Sequence, residues 1–142
     1  MAPHPLAHAA RGDQPDFRAA IETALQNHGA DYEIRETTTE ISGEQLAREA
    51  VGQGSTHLFA CGGDGTVMSV VNGVGKSGAQ TDSEEGPKVT LSIIRGGTAN
   101  LLATALDIPT EVEDAISVAV AGEDRVIDLG RCGEHLFALG VG

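Results

Sequence analysis

The residues of this sequence best suited to chemistry form the run Gly-Gly-Asp-Gly-Thr at positions 62–66. The run follows an apolar segment at 57–61 and precedes a helical pattern, so it predicts a glycine-rich turn between a buried strand and a helix. Open α/β sheets bind their ligands at this end of the strands. Glycines lack a Cβ, so their amides can approach an anion at the positive end of the helix. The candidate amides belong to Gly62, Gly63 and Gly65.

Two side chains of the same run extend this prediction. Thr66 can cap the helix or donate its hydroxyl to a phosphate oxygen. Asp64 would repel a polyphosphate unless Mg²⁺ lies between the carboxylate and the phosphate. The run therefore predicts a site for an Mg²⁺-nucleotide, with Asp64 as metal ligand and catalytic residue. The alternative is a tight strand-to-helix turn in which Asp64 only caps a helix.

A second segment has the same design. An apolar, β-branched run at 89–94 leads into Arg-Gly-Gly-Thr-Ala-Asn, which ends at Asn100 and is followed by a helical pattern. Two such strand–turn–helix units in one small sheet can meet at one crevice. Gly97 and Thr98 are the candidate phosphate ligands of this turn, and Asn100 could hold the loop or touch the nucleotide. Arg95 could neutralise phosphate or form a surface salt bridge.

Together these segments resemble the catalytic domain of the diacylglycerol kinase superfamily, which includes sphingosine kinases, ceramide kinases and bacterial lipid kinases. The matching pieces are GGDGT, the Val-Val-Asn-Gly at 70–73, and the GGTAN-LLA stretch ending in Leu-Asp-Ile-Pro at 106–109. The Val-Ile-Asp-Leu-Gly at 126–130 is similar to the strand that leads into that family's second domain. GGDGT alone is shared with NAD kinases and phosphofructokinases, whereas its combination with VVNG and GTxN is much more specific.

The resemblance implies a Rossmann-like α/β fold, a three-layer sandwich around a mainly parallel sheet like the N-terminal domain of phosphofructokinases and NAD kinases. It implies an ATP-binding catalytic domain over residues 1–124, then the start of a truncated β-rich domain at 125–142. The implied activity is ATP- and Mg²⁺-dependent phosphorylation of a lipid alcohol, with peripheral membrane contact through the absent domain. A threonine corresponding to Thr38 contacts the nucleotide in the family. The alternative for Thr38 is a polar connection between two elements.

Several departures from the family pattern bear on activity. The family has Asn and Glu where this chain has Met68 and Ser69, so catalysis could be weakened. The family also opens with a strand that ends in Asn-Pro-x-Ser/Ala-Gly, whereas residues 1–12 show little pattern, which predicts that the first strand is missing. No residue is a convincing base for an acceptor hydroxyl. We therefore expect the isolated chain to be inactive or nearly so.

Three other functional classes stay open on the sequence alone. An NAD kinase-like enzyme shares GGDGT but normally lacks the GTxN unit at this distance. A non-catalytic remnant of a lipid kinase would explain Met68 and Ser69. A purely structural interaction domain would have to carry two glycine turns at strand ends by coincidence.

The acidic composition narrows the range of partners. The formal net charge of −12 over 142 residues argues against a nucleic-acid partner, whose phosphates need basic patches. The same charge disfavours unaided adhesion to anionic membranes. Neither a secretory signal nor an apolar run of about 18 residues is visible, which predicts a cytoplasmic protein. Cys61 and Cys132 and the five histidines lack metal-ligand spacing, and Cys61 is expected to be a small buried hydrophobe.

Alternating patterns predict the elements that position the turns. A helix that begins at Asp13 or Asp16 and ends at 27–29 has one apolar face. The alternation around Tyr32 and Ile34 predicts a short strand near the sheet edge. The apolar face of the helix is formed by Phe17, Ala20, Ile21, Ala24 and Leu25.

Local sequence patterns also predict the helices, the loop and the hairpin in the rest of the chain. Ser42 with a glutamine three residues later is a capping-box signature for the next helix. The polar, glycine-rich composition of 75–87 predicts a surface loop, and 111–121 predicts a further helix. A hairpin over 125–141, with its turn at 131–135, completes the chain.

Overall fold

The computed structural model describes residues 6–9, 15–76, 89–96, 99–122, 130–133 and 135–137. Strands and helices alternate along most of this part of the chain. In order they are β1 (Leu6–Ala9), α1 (Pro15–Asn27), β2 (Glu33–Glu36), α2 (Gly43–Gly52), β3 (His57–Gly62), α3 (Asp64–Lys76), β4 (Thr90–Arg95), α4 (Leu101–Ala105), α5 (Val112–Ala121), β5 (Gly130–Cys132) and β6 (His135–Phe137).

Four strands form a parallel sheet in the order β2-β1-β3-β4. Helices α1 and α5 cover one face, and α2, α3 and α4 cover the other. The predicted three-layer α/β architecture is therefore confirmed, and so is the position of β2 at a sheet edge. None of the helices in the described ranges is long and apolar enough to cross a membrane.

The prediction that no strand precedes the first helix is wrong. Leu6–Ala9 forms β1, whose backbone pairs in parallel with both β2 and β3. The sequence Leu-Ala-His-Ala is short and has low intrinsic β-propensity, so its pairing with a strand on each side decides its conformation. The residues that link β1 to α1, and the predicted helix start at Asp13, lie outside the described residues.

Strand β3 shows how the core divides between the two faces of the sheet. Its side chains alternate, so Leu58 and Ala60 join the apolar cluster under α2 and α3. Phe59 and Cys61 join the cluster under α1 and α5. All four side chains are buried, which confirms the prediction for Cys61.

Helices α2 and α3 touch through glycines. A Cβ built on Gly73 would lie 2.4 Å from the Glu44 carbonyl oxygen and 2.7 Å from the Ala47 Cβ. A Cβ built on Gly43 would lie 3.2 Å from the Ser69 Cβ. Lys76, the last residue of α3, pairs with Glu44 at 2.6 Å. The two helices therefore pack backbone to backbone along their shared side.

The structure tests the predicted buried face of α1 and the predicted cap of α2. The α1 face buries Ile21, Ala24 and Leu25, whereas Ala20 is exposed. The Ser42 hydroxyl accepts the Gln45 amide at 3.1 Å, which confirms the predicted cap of α2.

The hairpin turn is shorter than the sequence indicated. Arg131 and Cys132, expected in the turn, belong to β5, and Gly133 takes the left-handed backbone with φ of 63°. Helix α3 continues to Lys76, so the predicted loop begins later than Gly75, and 77–88 lie outside the described residues. The proposed domain boundary near 124 also falls outside them.

The Asn72 side chain of α3 forms hydrogen bonds to the β5–β6 hairpin. Asn72, only 8% exposed, donates to the Leu136 carbonyl oxygen at 3.0 Å and accepts the Leu136 amide at 2.8 Å. Its second donor contact, to the Met68 carbonyl oxygen at 2.8 Å, fixes the amide plane. Gly75 leaves room for Leu136, because a Cβ there would lie 2.0 Å from the Leu136 Cδ1.

Candidate functional site

The chain reverses its winding direction between β1 and β3. After β1 it passes through α1 on one face to β2, and after β3 it passes through α3 on the other face to β4. Such a switch point opens a crevice outside the carboxyl ends of the two strands, where open α/β sheets bind ligands. The GGDGT run starts at this point, as the sequence predicted for a ligand turn.

The GGDGT run forms the junction of β3 and α3. Gly62 is the buried last residue of β3, and the Gly63 carbonyl oxygen accepts the Val67 amide at 3.0 Å. Helix α3 therefore begins at Asp64, and Thr66 lies inside the first turn instead of capping it. The apolar pattern begins only at Val67, so the predicted helix start was late: Asp64, Gly65 and Thr66 do not continue that pattern.

The first turn of α3 faces open space at Gly65. Nothing lies within 4 Å of a Cβ built on this residue, and the glycine is exposed. The first amides of any helix lack an acceptor within that helix, and they lie at the positive end of its dipole. The amides at Asp64, Gly65 and Thr66 have that position in α3. This arrangement can hold an anion.

Two hydrogen bonds join the second glycine segment to the first. The Gly96 amide donates to the Gly62 carbonyl oxygen at 2.9 Å. The Leu101 amide, at the start of α4, donates to the Asp64 Oδ1 at 2.8 Å. The predicted convergence of the two segments is therefore present at both of these contacts, and Asp64 caps α4 instead of its own helix. Gly97 and Thr98 lie outside the described residues.

Asn100 stands immediately before α4 in the left-handed conformation, with φ of 52° and ψ of 51°. Asparagine tolerates this conformation better than most residues. Its side chain makes no capping hydrogen bond, so the carboxylate of Asp64 does the work that the residue at this position usually does.

Thr38 follows β2 and closes a local turn. Its Oγ1 accepts the amides of Glu40 and Ile41 at 3.2 and 3.0 Å, and its own amide donates to the Ile41 carbonyl oxygen at 3.0 Å. Thr38 follows the carboxyl end of β2 and Asp64 follows that of β3. Strand β1 lies between these two strands, so Thr38 and Asp64 are not at neighbouring strand ends. The polar-connection alternative accounts for these bonds.

The positions that depart from the family pattern lie on α3. Ser69 is one turn after Gly65 on the same side of the helix, at the junction with α2. An acidic side chain there would be directed toward the same end of the sheet. Met68 packs partly buried against the core. Sequence reasoning missed the attachment made by Asn72, although a polar residue on the buried face of a helix is a signal of such a contact.

Two arginines near the carboxyl ends of the strands form hydrogen bonds with other residues of the chain. Arg95 donates through Nε and Nη2 to the Ile108 carbonyl oxygen at 3.1 and 2.5 Å, and through Nη1 to the Thr104 hydroxyl at 3.1 Å. It thus fastens α4 to β4, a role that neither sequence-based alternative included. Arg18 donates to Glu36, and this hydrogen bond raises the pKa of Arg18.

The Asp64 carboxylate suits a cation that binds together with a nucleotide. No group of three or more His, Cys, Asp or Glu within the described ranges could hold a metal ion. Mg²⁺ at nucleotide sites is usually held by one or two carboxylates, substrate phosphates and water. Asp64 uses Oδ1 for the Leu101 amide, and its other oxygen can serve such an ion. The residues therefore fit an Mg²⁺-nucleotide better than a metal cage.

The family model described as the diacylglycerol kinase catalytic domain matches residues 7–132 of this chain. A protein from Chromohalobacter salexigens, named "Probable lipid kinase YegS-like", is 35% identical over 123 residues, which cover 87% of this chain and 37% of that protein. A protein from Staphylococcus aureus, named "Diacylglycerol kinase", is 32% identical over 128 residues, covering 89% and 38%.

The fold also has solved counterparts. The crystal structure of a diacylglycerol kinase from Bacillus anthracis str. Sterne superimposes with a TM-score of 0.76 at 23% identity. The match covers 94% of this chain and 45% of that one. This chain therefore spans less than half the length of the relatives that it matches.

Proposed function

Because this chain belongs to the diacylglycerol kinase catalytic-domain family, we propose that it is the nucleotide-binding lobe of an ATP-dependent lipid kinase. The proposed reaction transfers the terminal phosphoryl group of ATP to the hydroxyl of a lipid alcohol. One observation carries the proposal: the open first turn of α3 and the start of α4 meet at Asp64, outside the carboxyl end of β3.

Each residue of the GGDGT run has a proposed role in binding ATP. The amides of Gly65 and Thr66 donate to phosphate oxygens, and the Thr66 hydroxyl adds a further donor. Asp64 holds Mg²⁺, which when bound supplies charge neutralisation at the phosphates. Gly62 and Gly63 shape the turn through their carbonyl contacts.

The second turn and the sheet edge complete the proposed nucleotide contacts. Gly97 and Thr98 are proposed phosphate ligands, and Asn100 sets the direction in which α4 begins. Thr38 is proposed as a peripheral contact, since its hydroxyl can donate a proton while its oxygen accepts two amides.

We expect Gly65→Ala to weaken Mg²⁺-ATP binding about tenfold or more without destabilising the fold. The new methyl group enters the space in which a phosphate would lie, while alanine in a helix is favoured over glycine by about 1 kcal/mol. Titration calorimetry with Mg²⁺-ATP measures the affinity, and thermal unfolding measures the stability.

Gly52→Ala is the matched control for this change. Gly52 ends α2, is exposed, and has nothing within 4 Å of a Cβ built on it, so ATP affinity should stay at the wild-type value. Saturable binding that only Gly65→Ala weakens supports the proposal. A folded wild-type chain that binds no ATP contradicts it, and tight binding of NAD in place of ATP would favour an NAD kinase-like enzyme.

A further inference from the structure

Hydrogen bonds join the second glycine segment, residues 95–100, to the first, residues 62–66, on both sides of the second segment. One of them is between backbone groups, from the Gly96 amide to the Gly62 carbonyl oxygen at 2.9 Å. The other depends on a side chain, because the Leu101 amide donates to the Asp64 carboxylate at 2.8 Å. This side-chain hydrogen bond joins residues that are 37 positions apart, and it is the one that a substitution can remove.

Helix α4 is poorly equipped to begin without this carboxylate. It has five residues, and the residue before it, Asn100, provides no side-chain cap. Short helices gain little from their own hydrogen bonds and depend on contacts outside the helix. A carboxylate that accepts a first-turn amide forms a charge-assisted bond, which is stronger than a neutral one.

We propose that Asp64 is a positioning residue for the second turn as well as the acid of the first, because its Oδ1 holds the start of α4 at the crevice. The inference rests on the proposed nucleotide site. The two roles use different properties of the side chain: a cation requires the negative charge, whereas the Leu101 amide requires only an acceptor oxygen.

Asp64→Asn and Asp64→Ala separate these roles. Both remove the same negative charge, but asparagine keeps an oxygen at the position of Oδ1 and alanine does not. Hydrogen exchange of the Leu101 amide reports on the start of α4. ATP affinity measured in EDTA reports on the nucleotide site without any contribution from a bound cation.

We expect Leu101 exchange in Asp64→Asn to stay within about threefold of wild type and to accelerate about fivefold or more in Asp64→Ala, the usual effect of a lost cap. In EDTA, Asp64→Asn should bind ATP at least as tightly as wild type, and Asp64→Ala about fivefold more weakly than Asp64→Asn. Both variants should lose the gain in affinity that Mg²⁺ gives.

Equal Leu101 exchange and equal EDTA affinity in the two variants would overturn the positioning role and leave Asp64 with charge alone. If the wild-type chain binds no ATP under any condition, the proposed function fails. The exchange of the Leu101 amide then still decides whether Asp64 positions α4, because it requires no nucleotide.

Discussion

Gly73→Ala is expected to lower the free energy of unfolding by about 3 kcal/mol, because the added methyl group would overlap the backbone of α2. The ideal Cβ position lies 2.4 Å from the Glu44 carbonyl oxygen and 2.7 Å from the Ala47 Cβ. Neither neighbour is the flexible end of a side chain, so α2 has to move away from α3. Urea unfolding followed by circular dichroism measures the change.

Gly52→Ala provides the comparison, since it makes the same chemical change in a helix where no atom lies within 4 Å of the new group. Its stability should equal the wild-type value or exceed it by up to about 1 kcal/mol. Equal stabilities for the two variants would show that α2 and α3 are farther apart than a 2.4 Å approach of this Cβ to the Glu44 carbonyl oxygen requires.

Asn72→Leu should release the β5–β6 hairpin from α3. The substitution keeps the branch at Cγ and the number of side-chain heavy atoms but removes three hydrogen bonds. It leaves the buried amide and carbonyl of Leu136 without the partners they have in the wild type. Buried groups left unsatisfied cost about 1–3 kcal/mol each. An isolated hairpin is marginally stable, so it should detach instead of tolerating that cost.

Hydrogen exchange locates this effect within the molecule. We expect the Leu136 amide to lose its protection while the amides of the buried strand β3 keep theirs. Asn27→Leu is the matched control, because Asn27 is the exposed last residue of α1 and its replacement should leave both regions unchanged. Equal protection of Leu136 in the wild type and Asn72→Leu would mean that apolar contacts alone hold the hairpin.

The local elements of this fold could be predicted from the sequence because their signals are local. The apolar run of β3 followed by glycines indicated the strand-to-helix turn, and Ser42 indicated the start of α2. The alternation at 32–36 indicated an edge strand, since one side of such a strand meets solvent. In each case a few neighbouring residues determine the conformation.

The long-range contacts of the site and of the β5–β6 hairpin could not be predicted in the same way. Asp64 and Leu101 are 37 positions apart, and Asn72 and Leu136 are 64 apart, so no local pattern connects them. The sequence could indicate that Asp64 would cap a helix, but the identity of that helix depends on how two loops meet. Strand β1 was missed because pairing with its neighbours outweighs its own weak propensity.

The central position of β1 also affects how the chain can fold during synthesis. β1 is made before the other strands of the sheet, yet it pairs with β3 as well as with β2. The strands β2, β1 and β3 therefore cannot be joined until β3 has been made. Because β1 lies between β2 and β3 in the sheet, loss of Leu6–Ala9 would separate β2 from the β3–β4 pair. An intact β1 is thus a condition for one sheet.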